Sequence, residues 1–333
     1  MHGLYLLWWV QERQMSPAVV AAVLAAGDLV LMLLEVPTGW FADRYGHRRS
    51  LILGSAAQTL GMLMCWLGRG IPGLVAASVL VAVGDGFRSG ADQALLYRTC
   101  AALGRGAEFQ AIQARTHAVR QAAMVGQILA GGAIVATWGF VAGWIAEAML
   151  SFVGLAIACA MVEPPAEGHL ETVHSTLEAA CIPAIRLDRL IALMLPAAIL
   201  GGTASVASFL AQTTGHGEPV GMTMLVAVVT LAEAAGSALA IRLTAVGVRT
   251  HRALAGAGLV CFVLGAAIRP AFVPVVIALA FLVGVVHPLR ASAIQHTVPD
   301  HLRARAASLA SVCDMAVNLI ALPLAGMWRG RRG

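Results

Sequence analysis

Several charged side chains in this sequence stand deep inside apolar runs, where flanking residues leave them no water. Asp28 and Glu35 sit seven apart in the run Val19–Trp40, two helical turns, so on a helix they share a face. Asp85, Arg88 and Asp92 follow in Leu74–Tyr97; offsets of three and seven would put Arg88 between two carboxylates on one face. Arg120 lies in a later run, with Arg115 and His117 before it, and Asp314 and Asn318 are four apart in the last. Glu147, Glu233 and His287 stand singly in other runs. A charge at the depth of a bilayer costs about 2.5–3.5 kcal/mol even on lenient scales, so each needs a partner or a task. A carboxylate whose pKa is raised by burial and lowered by a nearby arginine can load and release a proton. The competing reading is a fixed ion pair that packs one helix on the next. Asp28, near the middle of its run, is the first candidate for a protonatable or cation-binding group. Glu35 belongs with the loop that follows it. Arg120 can pair with either carboxylate group, whereas Arg115 and His117 are placed to snorkel to an interface.

The elements that must position these groups are membrane helices. Of 333 residues, 59% are hydrophobic and only 12% charged, about half the usual charged share of roughly 25% for soluble domains; mean hydropathy is +0.82. Apolar runs long enough to cross a hydrocarbon core of about 30 Å recur from end to end. This excludes a soluble enzyme, a disordered chain and a secreted disulfide scaffold, and points to an all-α polytopic membrane protein. A short first piece, Gly3–Val10, reaches about half way across a bilayer. Full spans are expected near Val19–Trp40, Leu51–Leu67, Leu74–Tyr97, Ala111–Thr137 and Gly139–Val162. After a polar stretch, Glu163–Asp188, five more are expected near Leu190–Ala211, Val220–Ile241, Ala253–Ile268, Ala271–Leu289 and Ala306–Met327.

Every one of the 22 basic residues is arginine. Alternate loops hold most of them, Arg44, Arg48, Arg49, Arg98, Arg105, Arg186, Arg189, Arg242, Arg249, Arg252, Arg290, Arg303 and Arg305, and the positive-inside rule puts that side in the cytoplasm. The tail, with Arg329, Arg331 and Arg332, is the discordant segment. A net charge of +5 without a basic stripe does not indicate nucleic acid. The six cysteines include no CxxC and read as small buried hydrophobes. No HExxH occurs, and His296 and His301 lack a nearby cysteine, so no metal site is expected. Trp8, Trp9, Trp138 and Trp144 fall near outer boundaries, as an interfacial aromatic belt would place them.

Between the second and third runs stands Leu34-Glu-Val-Pro-Thr-Gly-Trp-Phe-Ala-Asp-Arg-Tyr-Gly-His-Arg-Arg-Ser-Leu51. This resembles the signature loop of the major facilitator superfamily, with Gly39, Asp43, Arg44, Gly46, Arg48 and Arg49 at the matching positions and His47 where many members have a permanently charged base. Gly39 at a helix end would let another backbone approach closely, and Asp43 could accept hydrogen bonds from a neighbouring helix N-terminus. The resemblance implies a gating latch for this loop. A decayed copy, Gly236-Ser-Ala-Leu-Ala-Ile-Arg-Leu-Thr-Ala-Val-Gly-Val-Arg249, lies half a chain later, with Ile241 at the position of Asp43; such repetition is expected of a two-bundle protein. Gly84-Asp-Gly-Phe-Arg-Ser-Gly-Ala91 resembles the family's fourth-span motif without its glutamine. Gly126-x4-Gly131-Gly132 resembles the antiporter motif without its proline; helix packing also accounts for these glycines.

The resemblance implies a two-bundle, pseudo-symmetric fold with about eleven of twelve spans, the first partial and the twelfth absent. The bundles would be residues 1–162 and 189–333, joined by a cytoplasmic linker at 163–188. The implied activity is secondary transport by alternating access, as a monomer in the inner membrane of a bacterium, without cofactor: proton-coupled export of small amphiphilic molecules. Its partners would be a small-molecule substrate, protons and the lipid bilayer. The alternatives are uptake of a small metabolite and a truncated remnant that does not transport. An intramembrane enzyme is disfavoured, because no zincin motif, Gly-x-Ser-x-Gly elbow or phosphate-binding loop occurs.

Overall fold

In the computed structural model, the residues described are 4–89, 91–164, 187–214, 219–240, 253–254, 256–261, 263, 272–297 and 303–330. Among these residues every regular element is helical. In chain order they are α1 (Tyr5–Leu7, continued by a π-helical turn at Trp8–Glu12), α2 (Pro17–Tyr45), α3 (His47–Leu67), α4 (Gly70–Arg88), α5 (Ala91–Ala102), α6 (Phe109–Ala160), α7 (Leu187–Thr214), α8 (Pro219–Ala240), α9 (Phe272–Thr297) and α10 (Arg303–Gly330). The described residues between 253 and 263 are helical too. Most of the linker expected at 163–188, the second half of the decayed loop copy and residues 264–268 of an expected span lie outside the described residues.

Among the described residues, eight helices are long and apolar enough to cross a membrane. The one running from Val119 to Ala160 has 42 residues, about 63 Å, twice the hydrocarbon thickness. It contains two spans, because Gly139 leaves helical geometry at φ 80°, ψ 173°, a conformation open to glycine and strained for other residues. The break falls where the sequence divides Ala111–Thr137 from Gly139–Val162. Large apolar side chains cover the outside of these helices, among them Leu33, Leu60, Val119, Phe152 and Ile320, as lipid-facing surfaces require.

The expected fourth span is interrupted. α4 ends at Arg88, and Ser89 is extended at φ −57°, ψ 120° before α5 begins at Ala91. Asp92 therefore lies on a different helix from Asp85 and Arg88, and the shared face inferred from a spacing of seven does not exist.

Contacts group the chain into two units: Met1–Pro165 with Gln212–Ala227 and Leu322–Gly333, and Ala166–Ala211 with Val228–Ala321. In the first unit α3 packs on α4 through small residues. A Cβ at Gly54 would stand 2.9 Å from the Gly84 carbonyl oxygen, and one at Gly84 3.0 Å from the Gln58 amide nitrogen, so the backbones themselves touch. Ser50 Oγ donates to the Phe87 carbonyl at 2.6 Å and sets the level of α4 against the first turn of α3.

The short first element is built into this unit. Trp8 Nε1 donates to the Cys65 carbonyl at 2.9 Å, and Arg13 donates to that of Trp66 at 2.6 Å while its guanidinium lies over the Trp8 ring. Trp8 packs against Trp144 with ring centroids 5.9 Å apart. Trp9 and Trp144 are fully enclosed, so they are core side chains and not an aromatic belt. Only Trp138 of the four, 74% exposed, suits an interface. Tryptophan's area makes both roles available, and sequence position does not choose between them.

Gly46 divides α2 from α3 with φ 102°, and a Cβ there would meet Glu163 Oε2 at 3.2 Å. A Cβ at Gly39 would meet nothing within 4 Å among the described residues. The close helix approach expected at Gly39 is absent, and the loop's structural demand falls on Gly46. Replacing Gly46 with Ala should lower the thermal midpoint of the detergent-purified protein, at a cost of about 1–2 kcal/mol. Gly39→Ala should leave the midpoint unlowered; an equal loss in both variants would refute this assignment.

Candidate functional site

Two constellations gather the polar side chains. The first is the loop between α2 and α3. Its anchor is Glu163, just beyond the end of α6. The Glu163 carboxylate accepts the backbone N–H of His47 at 3.0 Å and that of Arg48 at 2.5 Å, capping two of the free donors at the start of α3, where the helix dipole favours an anion. Arg98 of α5 donates to Glu163 Oε1 at 3.0 Å, to His47 Nδ1 at 3.1 Å and to the Pro164 carbonyl at 3.3 Å. Arg48 donates through Nη2 to the Cys159 carbonyl at 2.5 Å. The carboxylate on a helix N-terminus is therefore Glu163. Asp43, given that task above, has a side chain 77% exposed, and His47 Nε2 lies 3.9 Å from it. Arg44 stacks its guanidinium near Trp40 and Tyr45, and Arg49 is exposed. Glu163 and Arg98 went unmarked as site residues because they lie some 115 and 50 positions from the loop they hold.

The leading intramembrane candidates do not assemble. Asp28 and Glu35 are half-buried on α2, and Gly27, beside Asp28, abuts Ser78 of α4. Asp85, Arg88 and Asp92 are exposed. Arg88 lays its stem over α3, with Cγ 2.7 Å from where a Cβ at Gly54 would be, and forms no ion pair with either aspartate among the described residues. Arg115 and Arg120 are exposed near the start of α6. Gly126 has open space around it, so packing does not explain that glycine. Glu147 accepts both hydrogen bonds of Gln127 Nε2, at 3.0 and 3.2 Å.

The second constellation, in the second unit, is a cavity of about 320 Å³ between α7, α8, α9 and α10. It collects Glu233, His287, Asp314 and Asn318, four residues from three helices, together with Ser205 and Ser208 of α7. One joint between α8 and α9 aligns two of them. Gly236 abuts the Phe281 carbonyl, and Gly284 abuts the Glu233 carbonyl, with no room for a Cβ at either. Pro288, inside α9, has no N–H for the carbonyl of Gly284 four residues back. Ser237 Oγ donates to that carbonyl at 3.1 Å, the kind of side-chain repair that lets proline stand in a membrane helix. Glu233 is one turn before Gly236 and His287 one turn after Gly284, so this contact sets both.

A turn further along α9, Arg290 donates to both carboxylate oxygens of Asp314 at 2.6 Å. Arg290 is 8% exposed. It was assigned above to a cytoplasmic loop, but α9 continues through Thr297, and the arginine is the buried partner of Asp314. Paired this way, two charges that would each be costly become a bidentate, planar contact. Asn318 follows Asp314 by four and shares its face. A Cβ at Gly201 would stand 3.9 Å from His287 Nε2, and one at Gly202 3.7 Å from Asn318 Oδ1. Both of those atoms are buried without a hydrogen-bond partner. Among the described residues no group of His, Cys, Asp and Glu is arranged to hold a metal ion.

A family model described as Major Facilitator Superfamily matches residues 1–322. No curated protein matches the chain. Among solved structures, the nucleoside transporter NupG superposes with TM-score 0.76 at 12% identity, covering 99% of this chain and 86% of the other. A peptide transporter, POT, in complex with alafosfalin gives 0.73 at 14%, with 99% and 85% covered. A D-xylose–proton symporter gives 0.64 at 16%, with 98% and 84% covered. At such identities the likeness is one of fold.

Asp314→Asn should leave Arg290 buried and unpaired, lowering stability by about 3–5 kcal/mol, visible as a large fall in the thermal midpoint. The double variant Arg290→Met/Asp314→Leu should recover most of that loss. A single variant as stable as the parent would show that the pair is not a structural requirement.

Proposed function

Because the chain belongs to the major facilitator superfamily, we propose that this integral membrane protein is a proton-coupled secondary transporter that exports small amphiphilic molecules by alternating access. Membership and the transporter fold of its structural neighbours make transport the activity to explain, and favour it over enzymatic chemistry. The observation that carries the reading is the cavity between α7 and α10, where Glu233, His287 and Asn318 converge beside apolar Val229 and Val283. Concave, mostly apolar sites with a few convergent polar groups are the usual form of a small-molecule site.

In this reading the cargo occupies that cavity, and Asp28 and Glu35 carry the proton. Both are half-buried carboxylates within a membrane-spanning helix and have no ion pair among the described residues. A carboxylate in that setting exists either neutral or briefly charged when water reaches it, which is the property proton coupling needs. Asp85, Arg88, Asp92 and Arg120 serve as secondary charges along the proton's route, and the Arg290–Asp314 pair fixes one wall of the cavity. The loop with Gly39, Asp43, Arg44, Gly46, Arg48 and Arg49 acts as the gate, held in this structure by Glu163 and Arg98. The arginine distribution puts that loop and the central linker in the cytoplasm, with residues 1–162 and 189–333 as the two bundles of a monomer in a bacterial inner membrane.

Export is favoured by the resemblance of Glu35-Val-Pro-Thr-Gly39 and Ser89-Gly-Ala91 to efflux members of the family. The polar share of the cavity favours a second reading, uptake of a small metabolite. Proteoliposomes with an imposed pH gradient separate them. Export by antiport moves cargo against the proton's direction, and symport moves it with the proton. Asp28→Asn should abolish the gradient dependence while leaving the protein folded and inserted. Full gradient-driven transport by that variant would remove Asp28 from the coupling role.

A further inference from the structure

The cavity between α7, α8, α9 and α10 has an imbalance of charge and of hydrogen-bonding groups that specifies what would fill it. Of its two carboxylates, Asp314 spends both oxygens on Arg290. Glu233 has no ion pair or hydrogen bond among the described residues. Ionised, Glu233 gives the site one uncompensated negative charge, which a half-buried carboxylate at membrane depth holds only when a cation answers it. The Glu233 carboxylate is unpaired, and the buried, unpartnered Asn318 Oδ1 awaits a donor. His287 Nε2 is likewise buried and unpartnered, and Gly201 keeps space open before it. The remaining lining is partly apolar, with Val229, Ala280 and Val283.

We infer that this cavity binds an amphiphilic monocationic amine, with its ammonium on Glu233, a donor group on Asn318 and its apolar body against Val229 and Val283. This deepens the transport reading above and rests on it for the idea that the occupant is cargo. A protonated primary amine supplies three donors and one positive charge, which matches the deficit. A bare metal ion is a poorer match, since no metal-ligating group is formed there and a volume of about 320 Å³ is that of a small organic molecule. An anion would face Glu233, and the guanidinium near it, that of Arg290, is already committed to Asp314. A neutral sugar or alcohol would leave the carboxylate charge unanswered at membrane depth.

The test is equilibrium binding to the full-length protein in nanodiscs, using pairs that differ in amine against hydroxyl: tyramine with tyrosol, and glucosamine with glucose. Tyramine should bind about tenfold or more tighter than tyrosol, the preference expected of a charge-assisted hydrogen bond. Glucosamine should exceed glucose in the same sense while binding more weakly than tyramine, because it lacks the apolar body. Glu233→Gln should reduce the amine preference to about twofold or less, and Glu233→Asp, which keeps the charge, should retain it. Equal binding within the pairs, tighter binding of the hydroxyl compounds, an undiminished preference in Glu233→Gln, or no binding of either amine would each overturn the proposal. The wild-type comparison decides it even where a variant fails to fold. Amine binding without gradient-driven movement in proteoliposomes would count against the transport reading and leave this one standing. Gradient-driven movement of the hydroxyl compounds with the amines ignored would do the reverse.

Discussion

At the depth of a bilayer no water relieves a charge or an unpaired carbonyl, and this protein answers several such groups from within its own chain. Pro288 leaves the Gly284 carbonyl without its helical donor, and Ser237 supplies one at 3.1 Å. Arg290 spends two donors on Asp314, Gln127 answers Glu147, and Trp8 answers the Cys65 carbonyl. Each repair costs a polar side chain at a place where leucine would otherwise serve. Of seven buried side-chain atoms without a partner among the described residues, two share one cavity. Asn318 Oδ1 and His287 Nε2 are buried and unpartnered, and together with Glu233 they line one cavity. Local rules broken together at one place mark a site more reliably than one isolated charge does.

Position in this fold is transmitted through contacts between backbones. Where α8 meets α9 at Gly236 and Gly284, no side chain intervenes, so Glu233 and His287, each one turn away, inherit a fixed spacing. α3 and α4 use the same device at Gly54 and Gly84, and Ser50 sets their level. The loop between α2 and α3 is held differently. Its turn needs the positive φ of Gly46, and its following helix needs an anion at the N-terminus, which Glu163 provides. Arg98 then ties that anion to α5. Such a clasp of charge-assisted bonds lies at least partly within reach of water, so it can open at moderate cost.

Part of the candidate site was legible in the sequence, and the misses have physical causes. Asp314 and Asn318 were paired by their offset of four, and Glu233 and His287 were noticed singly. Nothing in one helix's periodicity reveals that three helices bring them to one cavity. Arg290 was read as a loop charge because an apolar run ends before it, although α9 goes on for another seven residues and a partner at Asp314 makes its burial tolerable. Asp85, Arg88 and Asp92 looked like one face because spacing alone cannot register an extended residue at Ser89. Gly39 was given a packing role that falls to other glycines, and Asp43 a capping role that falls to Glu163.

The sequence by itself determined that this chain lives in a membrane, that it is helical, roughly where most of its spans lie, and which family's loop it carries. Those features depend on composition and on short-range spacing, and hydrocarbon enforces them residue by residue. Tertiary structure alone decided which charges meet, which tryptophans are core, and which carboxylate caps α3. Pairings such as His47 with Glu163, or Arg290 with Asp314, are contacts between helices distant in sequence. Their energies depend on the approach of backbones at small residues, which no local pattern encodes.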